Sequence, residues 1–345
     1  MPQPTTAAGP DGGPRQGRSL AARLLLLQCV LIAGFVALEL GLRLIEQKTR
    51  DRPFLAPDTF VSPWFPTRDW PPPRFDAEGR AYFRHRAEPV SVAKPAGVVR
   101  VIAVGGSTTA NKRAFAMGGV DFALALERRL NARGDGQRYE VLNAGAESFS
   151  TAHVLVNLLL RLFEFQPDVV VCMENINDLS ANYYGERVSA DYANKYLDAE
   201  FTDPALESGR TLHGFLMRSR VLRNISWLRR WNKTREHPAE DVSAGLAYFR
   251  RNLREIARAT REHGARLVLL TQPCDGVADP SYSLEQFALY NREIESVARE
   301  CEVEFLDMHA LFGHDRARFV DPVHYTPEGC EAFAEILASR IDFAR

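Results

Sequence analysis

The stretch Val98–Asn111 reads VVRVIAVGGSTTAN, a β-branched apolar run that stops at Gly105-Gly106 and passes into Ser107, Thr108 and Thr109. A buried strand has this character, and two glycines at its end permit a tight turn. Ser107 then stands where a helix begins, beside backbone N–H groups that have no acceptor within the helix. By itself the stretch is satisfied by an ordinary strand-to-helix turn capped by a serine.

Downstream the same alternation recurs. Arg100–Gly105 reads as a first strand and Phe115–Ala132 as a helix with apolar residues at helical spacing. Tyr139–Asn143 is a short strand, followed by a turn over Ala144–Ser148 and a helix over Thr151–Phe163 capped by Ser150 or Thr151. Asp168–Met173, DVVVCM, is nearly pure in β-branched residues, as a strand covered on both faces should be. Val242–His263 is a charged amphipathic helix ended by Gly264, and Arg266–Thr271 is a further strand. Leu284–Cys301 is helical, Val303–Asp307 a last strand and Pro327–Ile341 a last helix. Strands alternating with helices predict an α/β fold: a doubly wound, flavodoxin-like parallel sheet in three α/β/α layers, occupying residues 98–345.

Leu179–Asp241 departs from that rhythm and reads as an insertion at about residues 180–240, near the mouth of any site on this sheet edge. It holds Tyr183, Tyr184, Tyr192, Tyr196, Trp227 and Trp231 and reads as partly helical; a surface excursion without function accounts for it equally well. Asn224-Ile225-Ser226 and Asn232-Lys233-Thr234 match glycosylation acceptors, a triplet common by chance.

Upstream, residues 46–97 are rich in proline, including Pro71, Pro72 and Pro73, which defeats long helices and central strands. The aromatics Phe60, Trp64, Phe65, Trp70 and Phe75 predict that this stretch packs on the domain rather than acting only as a spacer. Before it, Leu24–Leu42 is an apolar run between Arg23 and Arg43. At ~1.5 Å per residue it just reaches across a hydrocarbon core of ~30 Å. Gln28 and Glu39 are polar intrusions, but Glu39 lies about one turn from the Arg43 end, close enough to the headgroups or to Arg43 itself. No small-x-small cleavage site follows, so residues 20–45 read as a single transmembrane anchor rather than a signal peptide or a core helix. Arg15, Arg18 and Arg23 precede it while Arg43, Lys48, Arg50 and Arg52 follow, so charge leaves its orientation open. Residues 1–19, rich in Pro, Gly, Thr and Gln, read as a disordered tail.

The balance of 43 basic and 44 acidic residues gives no global positive field, which argues against nucleic acid as a partner. Cys29, Cys172, Cys274, Cys301 and Cys330 show neither a CxxC pair nor metal-ligand spacing, so no disulfide framework or metal is expected.

In a doubly wound sheet every strand-to-helix turn falls on the carboxyl edge, where ligands bind. The first turn carries Gly106 and Ser107; the second, NAGAES, carries Asn143 and Gly145. The third, ENINDLS, carries Asn175, Asn177 and Asp178, and the turn after the last strand leads to DPVHYTPEG with Asp321 and His324. A hydroxyl, a bare backbone N–H, an amide and an Asp/His pair are the parts of acyl transfer. Each has a plain reading too: Gly145 as a turn glycine, Asn177-Asp178 as a helix cap, Asp321 as a turn before Pro322, His324 as one of eight histidines. Their joint placement on one rim sets the functional reading above these.

Together these blocks resemble the SGNH, or GDSL-type, esterase/lipase superfamily over about Val98–Ile341. The resemblance implies Ser107 as nucleophile, Gly145 and Asn177 with the Ser107 N–H as the oxyanion hole, and Asp321 with His324 as the rest of the triad. Two positions depart from the family pattern: Gly106 stands where an Asp is usual, and Asn175 where a Gly opens the third block. A membrane segment ahead of such a domain resembles bacterial envelope-associated members, which implies a catalytic domain on the periplasmic side.

The expected activity is that of a membrane-anchored serine esterase working through an acyl-enzyme, without metal or organic cofactor, on a small-molecule or glycan-linked ester. An O-acyltransferase acting on an envelope polysaccharide is the second reading, motivated by Tyr183, Tyr184, Trp227 and Trp231. A non-catalytic glycan- or partner-binding module, motivated by Gly106 and Asn175, is the third.

Overall fold

The computed structural model describes residues 20–50, 72–183, 188–196, 219, 221–222, 225, 239–278 and 282–344. They divide into two compact units. The larger holds the sheet: β3 (Val98–Gly105), β4 (Arg138–Asn143), β5 (Val169–Met173), β6 (Arg266–Leu270) and β7 (Glu304–Leu306), after a small hairpin of β1 (Arg74–Phe75) and β2 (Ala81–Tyr82). The five strands run parallel in the order β4-β3-β5-β6-β7. Numbered within the sheet this is the flavodoxin-like 2-1-3-4-5, and it reverses direction at β3, the strand that delivers Ser107.

Alternate residues of each strand feed two cores. Ile102, Val104, Val170, Cys172 and Leu269 face one layer, with Phe249, Leu253 and Ile256 of α8 (Ser243–Glu262) and Phe287, Tyr290 and Ile294 of α9 (Leu284–Cys301). Val101, Ala103, Val171 and Val268 face the other, with Phe122, Leu126 and Leu130 of α4 (Phe122–Asn131) and Phe333 and Leu337 of α11 (Pro327–Arg340). Each such large side chain contributes about 1.5–3 kcal/mol on burial. These two layers confirm the expected three-layer α/β/α arrangement.

Two helices are shorter than their periodicity predicts. The expected helix over Phe115–Ala132 is broken into α3 (Lys112–Ala116) and α4. Gly118 adopts a φ of +84° at the break, and Asp121 restarts the helix by accepting from the Leu124 N–H at 2.9 Å. The expected helix over Thr151–Phe163 keeps an α-helical start, α5 (Thr151–Asn157) with Ser150 as N-cap, then widens into a π-turn over Leu158–Leu162.

The described part of the proline-rich stretch packs on this unit. Ala81, Phe83 and Val90 are buried in the first core, and the buried Arg100 guanidinium donates to Ser91 O and Val92 O at 3.0 Å. Phe60, Trp64, Phe65 and Trp70, the 1–19 tail, and Tyr184, Asn224, Ser226, Trp227, Trp231 and Asn232–Thr234 lie outside the described residues.

The smaller unit contains α1 (Leu20–Arg50), in which Ala22–Ile45 is long and apolar enough to cross a membrane, with its large apolar side chains exposed. Glu39 is paired with Arg43 at 2.8 Å and accepts from Ser219 Oγ and the Val221 N–H, so the one acid of this span is held by partners of its own unit.

Candidate active site

The first turn places Ser107 differently from a capping serine. Gly106 is the N-cap of α2 (Ser107–Ala110) and has no side chain to cap with; Ser107 is the first helical residue. Its hydroxyl is therefore spared from capping and lies 2.8 Å from His324 Nε2. On the other side of the ring, His324 Nδ1 lies 2.8 and 2.9 Å from the two oxygens of Asp321. Asp321 Oδ1 also accepts from the Val323 and His324 N–H groups, a turn that fixes the carboxylate against its own imidazole. Three groups from turns more than 200 residues apart thus form one hydrogen-bonded line. Such a line can move a proton from hydroxyl to imidazole while a carboxylate faces the cation that results.

Burial pushes the His324 imidazole down to about 4, helped by the Arg113 guanidinium and opposed by Glu147. Arg113, on α3, reaches across to form an ion pair with Asp321 Oδ2. Nothing in local sequence marks Arg113 as part of the site.

Gly145 sits against α2 so closely that a Cβ would lie 2.5 Å from Ala110 N and 2.7 Å from Thr109 C. Its carbonyl accepts from Arg84 Nε at 2.8 Å, and its N–H donates to Asn143 Oδ1 at 2.9 Å. The backbone donor that the sequence offers to an oxyanion is thus already engaged, and reaches a substrate only if shared. Asn177 lies in the first turn of α6 (Ile176–Ala181), where a Cβ on Gly106 would collide with its Nδ2. The amide therefore lies directly against the residue that precedes Ser107.

The two departures from the expected family pattern have local explanations. Gly106 makes room for the Asn177 amide, and the Glu174 carboxyl comes within 3.4 Å of where its Cβ would be. Asn175 is the N-cap residue of α6, and its Nδ2 donates to Phe287 O and Asn291 Oδ1, tying the third turn to α9. Asp178 does not cap α6. It is buried and accepts from the Thr151 N–H at 3.0 Å, so it holds the start of α5 instead.

Three ionisable side chains interact close to this turn, of which sequence reading singled out only Asp178. Desolvation raises Glu174 well above the usual carboxyl range and Asp178 to about 6, and it lowers Lys195 to about 7 against the attraction of both acids. Of the aromatics taken as a sugar platform, Tyr183 packs against the core with its hydroxyl on Gln286 Oε1. Among the described residues one group has donors that suit a metal: Cys274, His309 and His314, with ligand atoms within 4.8 Å of one another. Two of these are histidines from the α10 (Met308–Phe312) region, which a search on cysteine spacing overlooks. His314 Nδ1 lies 2.9 Å from Cys274 O, and none of the three belongs to the Ser107 line.

The family model of the GDSL-like lipase/acylhydrolase family matches residues 103–332, about two thirds of the chain. A comparison with curated protein sequences finds no match. Among solved structures, the chain is similar to Axe2, an acetylxylan esterase from Geobacillus stearothermophilus, at 17% identity and a TM-score of 0.46, covering 72% of this chain and 96% of that one. It is also similar to LAE5, an alpha/beta hydrolase enzyme from the metagenome of Lake Arreo, at 16% identity and a TM-score of 0.45, covering 70% and 94%. On the strength of the sequence match across both ends of the site, from β3 to α11, the chain belongs to the GDSL-like lipase/acylhydrolase family and is an ester-hydrolysing enzyme.

Proposed function

We propose that this protein is a membrane-anchored serine esterase that works through an acyl-enzyme on Ser107. The observation that carries the reading is the unbroken line from Ser107 Oγ through His324 to Asp321, with both imidazole nitrogens at 2.8 Å from their partners. Ser107 Oγ attacks the ester carbonyl carbon while His324 Nε2 takes its proton. Asp321 keeps the Nδ1–H tautomer and stabilises the imidazolium. The oxyanion is held by the Ser107 N–H and by Asn177 Nδ2, with the Gly145 N–H as a shared donor. Collapse expels the alcohol, which takes the proton from His324. Water then attacks the acyl carbon, losing a proton to the same nitrogen; collapse breaks the bond from the acyl carbon to Ser107 Oγ, which takes that proton back from His324 as the acid leaves.

The substrate class is a small-molecule or glycan-linked ester. Ala22–Ile45, about 36 Å long at ~1.5 Å per residue, supports anchoring in a bilayer. The hydrolase unit is assigned to the periplasmic side on its resemblance to envelope-associated members.

The test uses a short-chain aryl ester and a fluorophosphonate probe. Ser107→Ala and His324→Ala are expected to lower kcat by at least about 10³-fold, since the triad acts as a unit, and Ser107→Ala to lose labelling, both with unchanged circular dichroism. Hydrolysis at the wild-type rate by Ser107→Ala defeats the proposal.

A further inference from the structure

The half-buried Lys195 has no role in the reaction as written, yet its Nζ lies against the proposed oxyanion donor. Lys195 belongs to α7 (Ala193–Tyr196), inside the insertion between β5 and β6. That segment is fastened to the hydrolase unit: Tyr192 is fully buried, Asn194 Nδ2 donates to Ala181 O at 2.8 Å, and Arg251 Nη2 donates to Ala190 O at 2.7 Å. From there Lys195 Nζ donates to the Asn177 backbone carbonyl at 2.7 Å and to Ser180 Oγ at 2.5 Å, and lies 3.4 Å from Asn177 Oδ1. Ser180 Oγ in turn donates to Asn177 O at 3.1 Å.

An ammonium has only donors, so the end of the Asn177 amide nearest it is the oxygen. The NH₂ end is then the one turned toward Gly106, beside Ser107. Reversing the amide would set NH₂ against NH₃⁺, two donors facing each other, and would take the donor away from the site. The attraction of Asp178 opposes the loss of the Lys195 charge on burial.

We infer that Lys195 is a positioning residue that orients Asn177 Nδ2 toward the oxyanion, so the inserted segment completes the active site rather than merely decorating it. This rests on the assignment of Asn177 as an oxyanion donor in the proposed mechanism. Loss of one such donor costs roughly 10²–10³ in rate, and a misdirected one costs less than an absent one.

The test is a double-mutant cycle with Asn177→Ala and Lys195→Met, reading kcat and KM on the aryl ester beside Ser107→Ala. The expected result is a kcat lowered about 10- to 100-fold by Lys195→Met with KM within about twofold. In the Asn177→Ala background the same change is expected to cost less than about twofold, because the group it acts through is gone. Lys195→Gln, which retains a neutral donor, is expected to recover part of the rate and serves as the readout if Lys195→Met does not fold. A folded Lys195→Met or Lys195→Gln with wild-type kcat overturns the inference, as does a double variant whose losses multiply. If Ser107→Ala is inactive while Asn177→Ala hydrolyses at the wild-type rate, the oxyanion assignment falls and this inference with it. If Ser107→Ala is active, the esterase reading itself has failed.

Discussion

At the residue scale the site is governed by which polar atoms are already taken. Ser107 is available to His324 because it is the first residue of α2 and not its N-cap, the place that Gly106 occupies. Asp321 serves both His324 and Arg113, and that competition has a measurable consequence. The general base proposed here, His324, works only when neutral, so activity is expected to fall as pH drops through its pKa of about 4. Burial is the larger cause of that low value and remains in any Arg113 variant; the Arg113 charge is the smaller, and half of that side chain is in solvent. Arg113→Ala is therefore expected to move the acidic limb of kcat/KM upward, by about half a pH unit to one unit. A pH–rate profile whose acidic limb stays in place would show that the guanidinium does not act on the imidazole.

At the element scale, turns rather than strands carry the specificity of the arrangement. The β4–α5 turn reaches α2 only because Gly145 has no Cβ; an added carbon would meet the backbone at Ala110 N and Thr109 C, neither of which has room to move within α2. Gly145→Ala is expected to destabilise the protein by about 1–3 kcal/mol, as overpacking does, with a lower denaturation midpoint and an unchanged slope. An unchanged midpoint would mean the turn has slack that the close approach denies. The break between α3 and α4 shows why periodicity misleads: apolar spacing continues across Met117–Val120, but the Gly118-Gly119 pair and the Asp121 cap stop one helix and start another. Asp121 also binds His85 Nδ1 at 2.7 Å, and His85 stacks on Phe115, so the break is held by a residue of the proline-rich stretch.

At the scale of the whole molecule, an apolar helix and a hydrolase unit stand as two bodies with separate chemistry. The full chain is expected to sediment with membranes and to resist an alkaline carbonate wash, whereas a variant lacking residues 1–50 is expected in the soluble fraction. Full-length protein released by carbonate would make α1 something other than a spanning segment.

The sequence by itself determined the strand-helix order, the parallel sheet and the list of groups on its carboxyl edge. Each of these follows from local features: β-branched runs, helical spacing, and turn residues at strand ends. It also offered Ser107 and Asn177, each just past a strand end, and Asp321 and His324, which lie beyond α10 in a block singled out by its resemblance to the family pattern. Only the tertiary structure decided that the Gly145 donor is engaged by Asn143, that Arg113 holds Asp321, and that Lys195 holds Asn177. It also made Asp178 a cap for α5 rather than α6. Arg113, Lys195 and Asp178 act on residues from other turns, and Gly145 is pressed onto α2 by packing across the sheet edge. Such contacts depend on where packed elements meet, and no local pattern of residue types encodes that.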